Sequence, residues 1–177
     1  MSQRDSGYQR QERDLYETPE WVTEALIPNL RLVRRVWEPA AGSGQMLRVL
    51  SRNFMAYGSD LATGTDFFRY PPLDDVDAII TNPPYETGAE FIERALRLME
   101  PVGGVVAMLM RTDFDHAKSR AHLFRDCPAF AKKLVLMKRI AWFVEANGKP
   151  KASPSFNHAW YIWDWKHEGP PTIGYGP

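Results

Sequence analysis

Residues 32–50, Leu32-Val33-Arg34-Arg35-Val36-Trp37-Glu38-Pro39-Ala40-Ala41-Gly42-Ser43-Gly44-Gln45-Met46-Leu47-Arg48-Val49-Leu50, read as three consecutive pieces of backbone. Leu32 to Trp37 is apolar enough for a strand. Gly42 and Gly44 mark a turn in which the missing side chains let backbone approach a neighbour closely. From Gln45 to Phe54, Met46, Leu47, Val49 and Leu50 gather on one side of a helix. Strand, glycine turn and helix form the opening unit of an α/β fold.

The flanking sequence extends that pattern. Upstream, Thr18-Pro19-Glu20 predicts a helix start, with a hydroxyl cap, a proline whose missing N–H is harmless, and an acid in the first turn; the helix stops near Pro28. Downstream, Phe54 to Gly58 predicts a second strand ending at Ser59 and Asp60, and Val76 to Thr81 a buried parallel strand. Phe91, Ile92, Ala95, Leu96, Leu98 and Met99 recur at helical spacing between Thr87 and Glu100, with Glu90/Arg94 and Glu93/Arg97 as i,i+4 pairs. Gly103 to Met110 predicts a strand, Asp115 to Asp126 a helix, and Lys133 to Phe143 and His158 to Trp165 two strands around the loop Ala146-Asn147-Gly148-Lys149-Pro150-Lys151-Ala152-Ser153-Pro154-Ser155. Strands alternating with helices imply a mostly parallel, doubly wound sheet with its ligand crevice at the strands' carboxyl ends. Trp160, Tyr161, Trp163 and Trp165 are expected to pack sheet against helix.

With 177 residues and 44% apolar content, the chain suits one domain with a real core. Residues 14–167 are expected to fold, with residues 1–13 and the Pro- and Gly-rich residues 168–177 as flexible tails. No apolar run approaches the length of a membrane span, and the polar start lacks a signal sequence, so a soluble, cytoplasmic protein is expected. Cys127 is the single cysteine and is read as a structural thiol; the four histidines are scattered, and no metal is expected. The net charge of zero conceals segregation. Residues 54–100 carry nine acids against three bases, and residues 111–151 carry ten bases against four acids. That pattern suits either a basic nucleic-acid face or ordinary solvated helix faces.

A dinucleotide fingerprint would place a third glycine after Gly44, where this chain has Leu47, which weakens a nicotinamide reading. Asp60, after the second strand, stands where an acid accepts hydrogen bonds from two ribose hydroxyls. A turn with a capping aspartate is the alternative.

These residues resemble the Rossmann-like amino-methyltransferases that act on adenine in DNA, and the resemblance covers most of the chain. It implies a class I Rossmann-like methyltransferase fold and S-adenosylmethionine as cofactor. The Tyr-x-Thr-Pro element that opens such domains and touches the cofactor's methionine end is matched by Tyr16, Thr18 and Pro19. The acid-Pro-Ala-x-Gly-x-Gly loop is matched by Glu38, Pro39, Ala40, Gly42 and Gly44. Asp60 corresponds to the ribose-binding acid, and Asp66 with Phe67 to the pair that holds the cofactor's adenine. The order of elements resembles the gamma arrangement, with target recognition last.

Asn82-Pro83-Pro84-Tyr85 follows a buried strand and therefore sits at the crevice. An adenine amino group is a poor nucleophile because its lone pair is delocalised into the ring. Two acceptors aimed at its hydrogens, the Asn82 side-chain oxygen and the Pro83 carbonyl, would pull the nitrogen toward tetrahedral geometry. Consecutive prolines set those acceptors before the substrate arrives. Tyr85 offers a face for stacking on the base. Related enzymes place an aromatic on the opposite face, for which Trp142 or Phe143 is suited, and Lys149 and Lys151 beside them suit a phosphate backbone. Cytosine C5 chemistry fits poorly, because it needs a cysteine after proline in this loop and Cys127 lies elsewhere. RNA adenine-N6 methylation, protein glutamine-N5 methylation and a non-catalytic cofactor-binding subunit stand as alternatives. A glutamine-modifying enzyme would carry a Pro-Arg-Pro-Glu-Thr-Glu stretch upstream, where this chain has Tyr16-Glu17-Thr18-Pro19.

Overall fold

A computed structural model describes residues 16–30, 32–71, 73–142 and 156–177. They form one seven-stranded sheet in the order β2-β1-β3-β4-β6-β5-β7. The strands are β1 (Arg35–Glu38), β2 (Met55–Gly58), β3 (Ala78–Thr81), β4 (Val105–Arg111), β5 (Phe130–Leu136), β6 (His158–Asp164) and β7 (Thr172–Gly176). Pairing is parallel from β2 through β1 and β3 to β4, antiparallel on both sides of β6, and parallel again between β5 and β7. The mostly parallel, doubly wound sheet expected from the alternation of elements is the architecture observed.

Side-chain alternation along the strands explains why both faces are covered. Val105, Ala107 and Leu109 of β4 point to one side, where they pack with Val22 and Leu26 of α1 (Glu20–Leu26) and Met46 and Leu50 of α2 (Gln45–Leu50). Val106, Met108 and Met110 point to the other, where α3 (Gly88–Met99) supplies Phe91, Ile92, Ala95, Leu96 and Met99. The β6 aromatics join the two layers. Trp160 donates its indole N–H to the Val22 carbonyl at 2.8 Å, and Trp163 donates to the Leu123 carbonyl at 2.6 Å on the opposite face. Buried indoles with satisfied N–H groups combine a large apolar area with fixed orientation. No helix among the described residues is long and apolar enough to cross a membrane.

Four expectations are corrected. Thr18 does not cap α1; the cap position is Pro19, without a side-chain bond, because the Thr18 hydroxyl is turned toward Asn82. Residues 114–116 and 118–123 form 3-10 turns rather than an α-helix. Their carbonyls are taken by side chains: Arg120 Nε donates to Phe114 at 2.6 Å, and Trp163 takes Leu123. The first of the two late strands begins at Phe130 and ends at Leu136, with a register shift between Phe130 and Lys132. Finally, the supposed tail 168–177 contains β7. Thr172, Ile173 and Tyr175 suit a strand. Gly174 and Gly176 lie against the side chains of Leu134 and Leu136 in a parallel pairing with β5. The helix-surface charges also pair outside α3: Glu93 meets His122 at 2.9 Å, and Arg94 donates to the Tyr70 carbonyl.

Candidate active site

The carboxyl ends of β1, β2, β3 and β4 and the amino end of antiparallel β6 bring the sequence's polar signals to one edge of the sheet. After β1, the chain turns through Gly42 (φ 52°) and Gly44 (φ 79°), conformations that side chains strongly disfavour. The turn is closed by the Gly44 amide donating to Ala41 at 2.7 Å, and it is pinned to β2 by the Ala41 amide donating to Ser59 at 3.0 Å. Asp60 lies immediately beyond β2. Its carboxylate accepts the Gly42 amide at 2.8 Å and the Ala62 amide at 2.7 Å, so it organises the loop and presents its remaining lone pairs at the turn.

A side chain at Gly58 would meet Leu47 at 2.5 Å and Ala41 at 3.2 Å. Leu47 occupies the place where the dinucleotide pattern requires glycine. The strand supplies the missing space instead, which lets α2 close on β2 with a bulky residue on the helix.

Glu38 ends β1 and is 2% exposed. Its Oε2 has no hydrogen-bond partner among the described residues. Burial first, and then the negative Asp60 carboxylate, push its pKa up to about 9, against a partial opposing effect from the Leu47 amide. At neutral pH the side chain is therefore a protonated acid at the floor of the glycine turn. It is the kind of group that a bound cation would ionise.

Asn82 leaves β3 with its amide oriented by two acceptors. Nδ2 donates to the Tyr16 carbonyl at 3.4 Å and to the Thr18 hydroxyl at 3.3 Å. The Tyr16 carbonyl can only accept, which assigns the nitrogen to that side. Oδ1 is consequently left buried and without a partner among the described residues. Pro83 is buried and Pro84 exposed, and Tyr85 begins a 3-10 turn that leads into α3. The Tyr-x-Thr-Pro element and the tetrapeptide, more than sixty residues apart, are thus one hydrogen-bonded unit.

Four rings form a connected cluster that includes Tyr85 of the tetrapeptide. Tyr16 lies 6.1 Å from Tyr85 and 5.4 Å from Trp142, centroid to centroid. His158, the first residue of β6, lies 5.2 Å from Trp142 with the rings edge to face. Its Nε2 is 2.9 Å from the Tyr85 hydroxyl. Sequence reasoning missed His158 as a site residue. A histidine opening the otherwise apolar run His-Ala-Trp-Tyr-Ile-Trp was the available signal, because a buried polar residue is more informative than a buried apolar one.

The other expected residues are distributed unevenly. Asp66 accepts the Phe68 amide at 2.9 Å and faces Arg69 at 3.4 Å. The Phe67 side chain is 2% exposed, stacked on Phe91 and edge-on to Trp37, so it is a core residue and only its backbone is left to meet a ligand. Phe68 beside it is exposed. Phe143, Lys149 and Lys151 lie outside the described residues. The basic stretch 111–151 does not make one continuous cationic face. Lys133 is held by Asp115 at 2.8 Å in a largely buried pair, and Arg125 is held by Asp126 at 2.7 Å. Nearer the site, Arg111 lies 4.0 Å over the Phe156 ring and is bonded to Asp113, and Arg139 donates to Asn157 at 3.0 Å. Cys127 is half-buried against the α3-side core, and burial pushes its thiol pKa up.

No protein-family model and no curated protein matches the sequence. Solved structures match through their fold. A Listeria monocytogenes protein proposed to be a class I S-adenosylmethionine-dependent methyltransferase has a TM-score of 0.54 at 16% identity, over 88% of this chain and 62% of its own. The methyltransferase subunit of a type I restriction-modification system from Streptococcus thermophilus has 0.55 at 11%, over 85% and 44%. This chain spans less than two thirds of the length of either. Precorrin-6y C5,15-methyltransferase from Geobacter metallireducens has 0.50 at 16%, over 92% and 96%. The chain has the class I methyltransferase fold.

Proposed function

We propose that this chain transfers a methyl group from S-adenosylmethionine to the exocyclic N6 of adenine in DNA. The observation that carries this reading is the Asn82 amide. Its nitrogen is fixed by Tyr16 and Thr18, and its buried oxygen has no partner among the described residues. An unpaired buried acceptor costs folding free energy of about 1–3 kcal/mol, so its retention at a crevice suits a ligand that donates. An amino group is such a donor.

The residues present fit the cofactor. The positive-φ glycine turn and Asp60 form a cradle for a ribose, and the buried Glu38 carboxyl supplies a negative charge once a cation arrives. When bound, S-adenosylmethionine supplies an electrophilic methyl on a sulfonium sulfur. Asn82 Oδ1 and the Pro83 carbonyl accept the two N6 hydrogens and localise the nitrogen lone pair. The lone pair so exposed would accept the methyl that the cofactor would supply, and N6 would release one proton to solvent. Tyr85, Tyr16 and Trp142 offer flat faces suited to a purine. Arg111 and Arg139 near the mouth suit flanking phosphates, and the Streptococcus neighbour belongs to a restriction-modification system.

The test is methyl transfer from labelled cofactor to duplex DNA, single-stranded DNA, structured RNA and protein, with identification of the product base. N6-methyladenine in DNA, lost in Asn82→Ala with cofactor binding retained, supports the reading. Label confined to RNA changes the polymer, label confined to glutamine overturns the nucleic-acid assignment, and cofactor binding with no transfer to any substrate makes the chain a binding subunit.

A further inference from the structure

The Tyr85 hydroxyl points into the fold. Its partner, His158 Nε2, is 2.9 Å away on a residue that is only 2% exposed. The phenol therefore has its polar end committed to β6 while the ring begins the turn into α3, so the two sides of the crevice are joined by one hydrogen bond. The imidazole also packs edge to face with Trp142, at 5.2 Å and 84°. One histidine thus touches Tyr85 and Trp142, whose rings are inclined to the imidazole by 33° and 84° and so are not parallel to one another.

We infer that His158 is a positioning residue that sets the Tyr85 ring as a preformed face for the planar substrate, with the Tyr85 hydroxyl bonded to the protein rather than to substrate. This rests on the amino-methyltransferase reading of the site. Register supports it, since β6 pairs His158 with Arg111 at the carboxyl end of β4, which anchors the imidazole to the sheet rather than to a loop. A preset Tyr85 ring removes the loss of side-chain freedom that stacking would otherwise incur.

The charge state is compatible. Burial, followed by the nearby Arg111 guanidinium, pushes the His158 pKa down to about 4, against weaker opposing effects of the Phe156 carbonyl and Asp113. The groups facing the ring are Arg111 on β4, Asp113 in the turn after it, Phe156 ahead of β6, Trp142, and Tyr85 on the tetrapeptide turn. A neutral imidazole can accept the Tyr85 proton at Nε2 throughout the physiological range.

Two measurements test the proposal. In cofactor-free protein carrying ring-labelled tyrosine and histidine, His158→Leu should shift the Tyr85 phenol resonance and Tyr85→Phe should shift the His158 Nε2 resonance. Neither readout requires turnover, so both remain informative if the substrate assignment fails. In transfer assays, Tyr85→Phe and His158→Leu should each lower kcat or raise the substrate KM by roughly tenfold with cofactor Kd unchanged. The double variant should be no worse than the poorer single, and His158→Gln, which keeps a polar group at the Nε2 position, should recover most activity. Unmoved resonances, multiplicative losses in the double variant, or a parallel loss of cofactor affinity would each overturn it.

Discussion

The Asp60 carboxylate accepts the Gly42 amide at 2.8 Å and so ties the residue beyond β2 to the glycine turn beyond β1. One side chain thereby shapes the turn and also supplies its acceptor. Asp60→Ala should weaken S-adenosylmethionine binding by about 2 kcal/mol, roughly thirtyfold in Kd, through loss of charge-assisted hydrogen bonds. Asp60→Asn, which can still accept the Gly42 amide, should lose less. Calorimetry on both variants checks this, and unchanged affinity in Asp60→Ala would remove it from the site.

Glu38 predicts a pH dependence with a definite sign. In the folded protein its pKa is about 9, against an ordinary value of 4.5, so between those limits the unfolded chain has released a proton that the folded chain retains. Stability from this group is fully present below about pH 4.5 and is lost as pH rises toward 9, by at most about 1.4 kcal/mol per pH unit. Glu38→Gln should flatten that slope in denaturant titrations at pH 6 and pH 8. A cationic cofactor should bind with proton uptake by buffer, visible as a buffer-dependent binding enthalpy that disappears in Glu38→Gln. A wild-type enthalpy independent of buffer would mean that Glu38 is already ionised or does not sense the cofactor.

How far the sequence could be read depends on what each signal is made of. Hydrophobic pattern located β1, β3, β4 and β6 to within a few residues, because burial on both faces leaves an apolar run, and α3 through the helical repeat of its one buried face. It failed at residues 114–123, where Arg120 and Trp163 take carbonyls that a helix would need, which is a tertiary effect with no local trace. It failed again at β7, where Gly174 and Gly176 look like a tail until Leu134 and Leu136 are seen beneath them. Site residues were legible as types. Asn82 and Thr18 were both named, but not their bond to one another, since the strand order that brings them together is not written in either motif. His158 was missed because a lone histidine carries no spacing.

The packing of Leu47 against Gly58 can be tested without any substrate. Gly58→Ala places a methyl 2.5 Å from Leu47 and 3.2 Å from Ala41. Leu47 can rotate away and Ala41 cannot, so the expected loss is about 1–2 kcal/mol in chemical denaturation. Leu47→Ala in the same chain should recover part of it. Additive losses in the double variant would show that the two positions do not share the space.

Basic residues that hold the fold and basic residues exposed at the surface should respond differently to substitution. Lys133 donates to Asp115 and to the Thr112 carbonyl, and Tyr161 completes the cluster through the Asp115 carboxylate and the Thr112 carbonyl. Lys133→Met should leave Asp115 without its cation in a largely buried setting and lower stability by about 2–4 kcal/mol. It should not alter the salt dependence of DNA binding measured where the variant remains folded. Lys138 and Arg139 lie exposed at the end of β5, Lys138 over the Trp21 ring and Arg139 bonded to Asn157. Replacing both with alanine should leave unfolding within about 0.5 kcal/mol of wild type, as surface changes usually do. It should reduce the slope of log K against log salt by about 1–2, because each phosphate contact contributes roughly 0.9. Lys149→Glu with Lys151→Glu should weaken binding across all sequences without changing the preferred one, as contacts to phosphate do. Fluorescence anisotropy on matched duplexes from low to moderate salt measures these effects. A slope altered by Lys133→Met but not by the Lys138/Arg139 pair would relocate the polymer to the opposite side of β5.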